Sequence, residues 1–226
     1  MIIAIDGPAG SGKSTVAKCA AGQLNFHYLD TGAMYRALAV CAVRNGIDFG
    51  DETALVDLCG KYPITFGYKE GEVLPSKVFL DKDDVSDSIR TPEIDKAVSP
   101  VSAHQRVRDA LVEQQRRIAQ GEDYVVEGRD IGTAVFPSAE VKIFITASPE
   151  ERAQRRALQN HERGMEDNFD KIYQAILVRD KADTERTVSP LRPADDATII
   201  DTTNMTLEEV IEAVVTLARR SWKDER

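Results

Sequence analysis

A glycine-rich segment near the first residue constrains this chain more than any other feature of its sequence. It fits the pattern G-x-x-x-x-G-K-[S/T] at every fixed position and consists of Gly7, Pro8, Ala9, Gly10, Ser11, Gly12, Lys13 and Ser14. Before it, Met1 to Asp6 is an apolar run typical of a strand, and after it Thr15 to Leu24 carries apolar residues at helical spacing. A strand, a glycine-rich turn and a helix start together surround an anion with backbone N–H groups and the positive end of a helix dipole. The segment therefore predicts a loop that binds phosphate groups.

Two side chains of this loop carry chemistry of their own. Lys13 is expected to reach the outer phosphates of a nucleotide, and the Ser14 hydroxyl is expected to bind Mg²⁺. We expect nucleotide contacts from the whole stretch Gly7 to Thr15. The competing interpretation is a glycine-rich turn without a ligand, and the match of eight residues in a strand-to-helix context argues against it.

The composition limits the partners and the location that we expect. The chain has 226 residues, enough for one sizeable core and a small appended lobe. Its net charge of -9 argues against broad binding to the phosphates of duplex DNA, so we expect no nucleic-acid partner. Cys19, Cys41 and Cys59 are too few and too widely spaced for a zinc site or a disulfide framework. Since no apolar run is long enough to span a membrane and the strand that carries Asp6 lacks the basic start of a signal peptide, we expect a cytoplasmic protein without a membrane partner. We also expect a monomer.

Strand and helix patterns in the first half of the chain are followed by one irregular stretch. Phe26 to Leu29 predicts a second strand, and the next helix has apolar residues from Met34 to Cys41 on one face and ends at Gly46. Beyond it, proline and glycine residues separate short β-prone pieces that lack helical spacing. We therefore predict a small β-rich insertion at residues 62–90, within a core made of residues 1–61 and 91–226.

The second half of the chain returns to alternating strands and helices. Thr91 and Pro92 predict a helix start, as N-cap and first helical residue. The further predicted elements are a helix at Val101 to Gln120 closed by Gly121, strands at Tyr124 to Glu127, Val141 to Thr146 and Ala197 to Ile200, and helices starting at Ser148, at Phe169 (to Glu185) and at Thr206 (to about Trp222). This alternation predicts an α/β fold with a mostly parallel sheet and helices on both faces.

Two observations narrow the phosphate chemistry. None of the five asparagines is followed by lysine, so the N-K-x-D sequence that reads guanine is absent and a regulatory GTPase is not expected. A motor ATPase usually has an apolar strand ending in Asp-Glu, whereas the matching strand here ends at Glu127 and is followed by Arg129. Such a carboxylate can hold Mg²⁺ through water, together with Ser14, while the arginine binds a second phosphate. This arrangement suits phosphoryl transfer between two phosphate-bearing molecules.

Three further segments of the sequence are informative. They are Asp30 to Arg36 (DTGAMYR), Glu127 to Asp130 (EGRD), and the group Arg179, Asp183 and Arg186. In this order, they resemble the acceptor-site signatures of bacterial cytidylate kinases. The resemblance covers essentially the whole chain and includes the insertion of the long bacterial form. It implies a P-loop kinase with a helical lid at about residues 151–166, which transfers the γ-phosphoryl group of ATP to CMP or dCMP. Glu127 stands where the family more often has aspartate, and Thr31 where it has serine, and both keep the functional group.

The resemblance also implies roles for the residues on the acceptor side. The residues expected to bind the acceptor are Thr31, Tyr35, Arg36, Ser99, Arg108, Arg129, Asp130, Arg179, Asp183 and Arg186. Within this set, Ser99, Arg108 and Asp130 are implied to recognise the cytosine base. The sugar contacts are implied for Arg179 and Asp183, and phosphate contacts for Arg186.

From the residues alone, several of these assignments have a plainer alternative. Arg36, Arg108 and the stripe that starts at Arg179 also fit helix faces that carry ion pairs in solvent. Arg129 directly follows a buried strand, where an unpaired charge is costly. It therefore needs either a ligand phosphate or an acidic partner, and Asp130 is one candidate partner.

We expect catalysis by alignment and charge neutralisation rather than by proton transfer. An oxygen of an acceptor phosphate is already anionic near neutral pH, so no general base is expected. The expected catalytic residues are Lys13, Arg129, Arg155 and Arg186. Arg155 shares a helical face with Arg152 and Arg156 in the lid, and the sequence leaves open which of them contacts the transferring phosphate.

Two functional alternatives stay open at this point. Another small-molecule P-loop kinase, acting on UMP, shikimate or dephospho-coenzyme A, would keep the loop without needing Ser99, Arg108 and Asp130 together. A non-catalytic nucleotide switch would bind ATP without turnover.

Overall fold

A parallel sheet of five strands forms the centre of the computed structural model, which describes residues 1–162 and 164–224. The strands are β1 (Ile2–Asp6), β2 (His27–Asp30), β3 (Ile64–Gly67), β4 (Lys77–Leu80), β5 (Asp83–Asp84), β6 (Tyr124–Gly128), β7 (Val141–Thr146) and β8 (Thr198–Asp201). The central sheet has the order β2-β6-β1-β7-β8, and every neighbouring pair in it is parallel. The predicted α/β fold with a parallel sheet is thus confirmed. Residue 163, part of the predicted lid, lies outside the described residues.

Helices cover both faces of this sheet. They are α1 (Lys13–Leu24), α2 (Thr31–Arg44), α3 (Glu52–Lys61), α4 (Pro92–Ser102), α5 (Gln105–Ile118), α6 (Pro149–Glu162), α7 (Phe169–Glu185) and α8 (Leu207–Asp224), with a 3₁₀ turn at Ser88–Arg90 and a π-helical turn at Ile131–Val135. Because side chains alternate along a strand, Ala4 packs with α2 and α5 on one face of β1, whereas Ile3 and Ile5 pack with α1 and α8 on the other. Of the helices within the described ranges, none combines the length and the apolar character needed to cross a membrane.

Side-chain caps fix the helix starts that follow the sheet. Asp30 ends β2 and its side chain accepts a hydrogen bond from the Ala33 amide, which starts α2 at the edge of the sheet. Thr91 caps α4 as predicted, with its hydroxyl accepting from the amide of Ile94. The caps therefore place the first turns of α2 and α4 at fixed positions beside the sheet.

The structure corrects two predictions about the helices. Helix α3 was not predicted, and only three of its residues are buried, so it has little of the apolar spacing that marks a helix in sequence. The helix predicted from Val101 to Gln120 begins instead at Gln105 and ends at Ile118, because α4 continues to Ser102 and the chain bends at the next two residues.

The small antiparallel sheet β3-β4-β5 lies within the predicted insertion, residues 62–90. Its buried residues Ile64, Val78 and Leu80 join the same core as α2. The β-rich stretch therefore packs onto the helices beside the central sheet, and its exact limits as a unit stay a prediction.

Candidate active site

The carboxyl ends of three neighbouring strands place the candidate site. β1 ends at Asp6, β2 at Asp30 and β6 at Gly128. In the sheet register, Asp30 lies beside Glu127. The glycine-rich loop leaves β1 at this edge, and the segment that starts with Arg129 leaves β6 there. Ligands of parallel α/β sheets bind in the crevice at this edge, so the topology brings the predicted nucleotide loop and the predicted acceptor segment together.

The backbone of the loop has the conformation that a phosphate cradle requires. Gly10 and Gly12 have φ angles of 77° and 84°, a region that residues with a Cβ atom rarely adopt. A Cβ atom on Gly10 would lie 3.3 Å from the Cβ atom of Arg152, so the loop also passes close to α6. The loop ends at Gly12, directly before α1, and therefore turns onto the positive end of that helix.

The side chain of Lys13 is held inside the loop. Its Nζ donates to the backbone oxygen of Pro8 at 3.0 Å, and the residue is buried. Burial, followed by the positive charge of Arg129, lowers the pKa of Lys13 to about 7. A phosphate group beside Nζ would favour the charged form again. An anion bound in the loop would therefore stabilise the charged form of Lys13.

A cluster of oxygen atoms surrounds Glu127 next to the loop. Its carboxylate accepts hydrogen bonds from the hydroxyl of Ser14 at 2.8 Å and from the hydroxyl of Tyr28. Burial raises the pKa of Glu127, and the neighbouring Asp30 carboxylate raises it further. A buried carboxylate beside a hydroxyl, with a raised pKa, is a donor set that a hard divalent cation would stabilise.

On the acceptor side, buried ion pairs organise the arginines. Arg108 forms an ion pair with Asp130, and their side chains are only 4% and 6% exposed. Arg129 donates from Nε to Asp183 at 3.0 Å. The candidate partner Asp130 is thus wrong for Arg129, because Asp130 is occupied by Arg108 and lies 3.9 Å from Arg186. Each buried acid here already neutralises an arginine.

The other predicted acceptor residues line the same region. The ring of Tyr35 lies under the guanidinium of Arg108, at 5.4 Å from its centroid. The Thr31 hydroxyl donates to the backbone oxygen of Glu127 at 2.7 Å. Ser99 lies in α4 and is half-buried. These residues form the wall between the end of β6 and helices α2 and α4.

The stripe on α7 points inward rather than into solvent. Asp183 is buried, and the side chain of Arg186, directly after the end of α7, is only 10% exposed. Burial, followed by the charge of Arg129, lowers the pKa of Arg179 to about 10. Within the described residues, the buried Nε of Arg179 has no hydrogen-bond partner. A buried donor atom without a partner is costly, so the position of this Nε favours an anionic or polar ligand.

The three lid arginines have three different neighbours. Arg152 is buried and forms a bidentate ion pair with Asp180 on α7, at 3.0 and 2.6 Å. Arg155 donates to the hydroxyl and the backbone oxygen of Thr202, at 3.0 and 2.7 Å. Arg156 turns towards α4. Helical spacing put all three on one face, but their long side chains diverge at the tips.

Three residues of the site were missed by sequence reasoning. Asp6 accepts from the backbone amides of Ile131 and Gly132 at 2.7 and 2.8 Å, which fixes the turn after Asp130. An acidic residue at the end of an apolar strand was a signal for it. Tyr28, which donates to Glu127, looked like an ordinary strand residue. Asp95 pairs with two side chains that lie 59 and 61 residues away from it in the chain, and no local sequence pattern indicates such contacts.

Comparisons with known proteins show the family of this chain. The sequence model of a family described as cytidylate kinase matches residues 3–220. A cytidylate kinase of Enterococcus faecalis is 51% identical over 212 residues, which cover 94% of this chain and 92% of that protein. A cytidylate kinase of Lactobacillus gasseri is 47% identical over 224 residues, which cover 99% and 96%. A crystal structure of an uncharacterized protein from Eubacterium ventriosum aligns with a TM-score of 0.51 at 14% identity, over 96% of each chain, and this likeness concerns the fold alone.

Proposed function

This chain belongs to the cytidylate kinase family, and we propose that it transfers the γ-phosphoryl group of ATP to CMP or dCMP, giving ADP and CDP or dCDP. The observation that carries the proposal is the convergence of two anion-binding regions at one edge of the sheet. The glycine-rich loop follows β1, and the segment with Arg129 follows the adjacent strand β6. A donor on the loop and an acceptor on the arginines would therefore present their phosphates to each other, which supplies most of the catalysis in phosphoryl transfer.

The transfer itself needs charge neutralisation and alignment. An oxygen of the acceptor phosphate forms a bond to the γ-phosphorus, while the bond from that phosphorus to the bridging oxygen of ADP breaks. Lys13 is proposed to neutralise charge on the transferring group, and the position of its Nζ inside the loop, 3.0 Å from the backbone oxygen of Pro8, supports this role. Arg129, Arg155 and Arg186 are proposed to share this task. No proton has to be removed from the attacking oxygen, since phosphate monoesters are largely dianionic at neutral pH.

Ser14 and Glu127 fit a magnesium site. Their oxygen atoms are 2.8 Å apart beside the loop, and oxygen is the ligand type that Mg²⁺ selects. Ser14 and Glu127 would hold Mg²⁺ there, and the ion would supply positive charge that offsets the phosphates of ATP. Tyr28 and Thr31 hold the side chain and the backbone of Glu127 in place for this role.

Recognition of the acceptor is proposed for the arginines and acids beyond β6. Cytosine offers a ring acceptor with its carbonyl group and an exocyclic amine donor, so Ser99, Arg108 and Asp130 together can satisfy it. The Arg108–Asp130 pair is preformed and buried, so its donors and its acceptor are already oriented. Uracil would present the wrong donor pattern to the carboxylate. Arg36 and Arg179 are proposed to contact the phosphate and the sugar of the acceptor.

The setting proposed for this activity is a monomer in the cytoplasm, within pyrimidine nucleotide metabolism and without a nucleic-acid or membrane partner. The acidic net charge of -9 supports the part about nucleic acid, since a duplex binder would need an excess of basic residues.

A panel of acceptors with coupled detection of ADP tests the function. We expect CMP and dCMP to support turnover and UMP, AMP, shikimate and dephospho-coenzyme A to give little. A Lys13→Ala protein purified in parallel controls for contaminating kinases. High turnover with one of the other acceptors would make the chain a different small-molecule kinase, and ATP binding without turnover would make it a nucleotide switch.

A further inference from the structure

One carboxylate joins two arginines that come from different sides of the acceptor site. Asp95 lies near the start of α4, and its Oδ1 is 3.2 Å from Nε of Arg36, on α2. Its Oδ2 is 3.0 Å from Nη2 of Arg156, on α6. A single side chain therefore ties the lid helix α6 to the two helices that flank the acceptor.

Exposure separates Asp95 from the two buried acids Asp130 and Asp183. Asp130 and Asp183 are 6% and 9% exposed at the side chain, so losing their arginine partners would leave a buried charge unpaired. The side chain of Asp95 is 25% exposed. It can release its partners and turn to water at small cost, because exposed ion pairs contribute little to stability. Asp95 is thus the acid of this group that can exchange partners.

The charges around Asp95 favour such an exchange. Arg36 and Arg156 contact this carboxylate directly, and its negative charge also acts on Arg179. Three positive groups therefore face one carboxylate. The phosphate of a nucleoside monophosphate carries nearly two negative charges and three acceptor oxygens, so it competes well for the same guanidinium groups.

We propose that Asp95 is a positioning residue that holds Arg36 and Arg156 in the ligand-free chain and is displaced from them by the phosphate of the acceptor nucleotide. The inference rests on the proposed function, since it takes a nucleoside monophosphate as the ligand. Before the acceptor binds, the ion pair between Arg156 and Asp95 connects helix α6 to α4. When the acceptor phosphate binds, this ion pair breaks and Arg156 contacts the phosphate instead. Asp95 therefore competes with the acceptor and weakens its binding.

Binding measurements with two matched ligands test this exchange. In Asp95→Asn, the dissociation constant of CMP should fall by about threefold to tenfold, the range expected for loss of one partly exposed competing charge. The dissociation constant of cytidine, which lacks the phosphate, should stay within about twofold of the wild-type value. A general change in the fold would shift both ligands alike, so the contrast between them reports on the phosphate contact alone. Titration calorimetry of the full chain gives both constants.

Two further variants make the test specific. Glu93→Gln removes an exposed negative charge from the same turn of α4, and it should leave CMP binding unchanged. In an Arg156→Gln background, Asp95→Asn should gain less affinity for CMP, because one of its two partners is already absent. Asp95→Ala repeats the measurement in case the asparagine perturbs the local structure.

Several results would overturn the inference. Unchanged or weaker CMP binding in both Asp95 variants would make Asp95 a support for Arg36 rather than a competitor. An equal gain for cytidine, or an equal gain in Glu93→Gln, would reduce the effect to general electrostatics. Turnover of CMP by the wild-type chain is measured first and tests the proposed function by itself, so a wrong acceptor and a wrong role for Asp95 give different results.

Discussion

The proposed donor loop and the proposed acceptor site differ in how their binding groups are supplied. The loop is one contiguous segment, Gly7 to Ser14, whose binding groups are largely backbone amides. The acceptor site draws its side chains from α2, α4, α5, α7 and the segment after β6. In the loop, no carboxylate lies within ion-pair distance of Lys13 among the described residues, and its Nζ is held by a backbone oxygen. On the acceptor side, buried acids already neutralise Arg108 and Arg129.

This difference decides how each region meets its ligand. Burial and the charge of Arg129 lower the pKa of Lys13 to about 7, although the carboxylates of Glu127 and Asp30 oppose this shift. A bound phosphate would therefore favour the charged lysine. Two acceptor arginines, Arg108 and Arg129, instead have buried internal partners that hold them in place before any ligand arrives. Such preformed pairs reduce the cost of ordering side chains on binding. The loop therefore gains a close counter-charge from its ligand, whereas these two arginines are already paired.

The largest effect is expected from Lys13→Ala, because nothing else in the loop replaces its charge. Turnover should fall by at least about 10³-fold, since the charge growing on the transferring phosphates loses its nearest cation. Steady-state kinetics measure this fall, while titration with CMP and a melting curve show whether the acceptor site and the fold are intact. A near-normal rate would mean that the loop lysine takes no part in the transfer and that the loop does not depend on this charge.

A smaller but still large effect is expected from Arg186→Ala. If Arg186 binds phosphate in the transition state, turnover should fall by about 10²-fold, the range for loss of one charge-assisted contact in a closed site. The control is Arg192→Ala, whose side chain is 58% exposed and which should change neither rate nor stability. Unchanged kinetics together with an unchanged melting temperature would leave Arg186 as a structural residue of the α7 end.

Asp130→Asn tests whether the acceptor site is separate from the donor loop. The Michaelis constant for CMP should rise by about tenfold or more, because the carboxylate that pairs with Arg108 and is proposed to bind the base is lost. The Michaelis constant for ATP should change little. Asparagine keeps the volume, and Asp109→Asn, on the exposed side of α5, is the matched control. Equal rises for both nucleotides would contradict a division of the site into two independent regions.

The sequence predicted features that depend on local patterns better than contacts between distant parts of the chain. The fold, the loop and the helix capped by Thr91 depend on local patterns, and all three agree with the structure. The acid that pairs with Arg129 is Asp183, from the distant helix α7, whereas the sequence offered Asp130 as one candidate beside a ligand phosphate. The roles of Arg36 and Arg108 came from family resemblance, since a lone arginine on a helix fits a solvated face equally well. Asp95 was missed for the same physical reason, because its contacts join distant parts of the chain.

The smallest expected effect is a pH dependence of stability that arises from Asp6. This residue directly precedes the loop, and its carboxylate accepts hydrogen bonds from the amides of Ile131 and Gly132 in the turn after Asp130. It therefore contacts both regions. Burial is the main cause that raises the pKa of Asp6 from 3.8 to about 6; Asp130 raises it further, whereas the two amides and Arg129 oppose the shift. A folded-state pKa above the unfolded value stabilises the fold at low pH, and this stabilisation is lost as the pH rises through about 6. Between about pH 5 and pH 7 the loss should be about 1 kcal/mol in the free energy of unfolding.

Urea unfolding of the wild type and of Asp6→Asn at both pH values isolates the contribution of Asp6, because the variant lacks this titrating group and keeps the others. The free-energy difference between the two proteins should therefore shift by about 1 kcal/mol in favour of the wild type at pH 5. A difference that stays constant would mean that Asp6 keeps one protonation state throughout this range, and that pH does not act on the contact between the two regions.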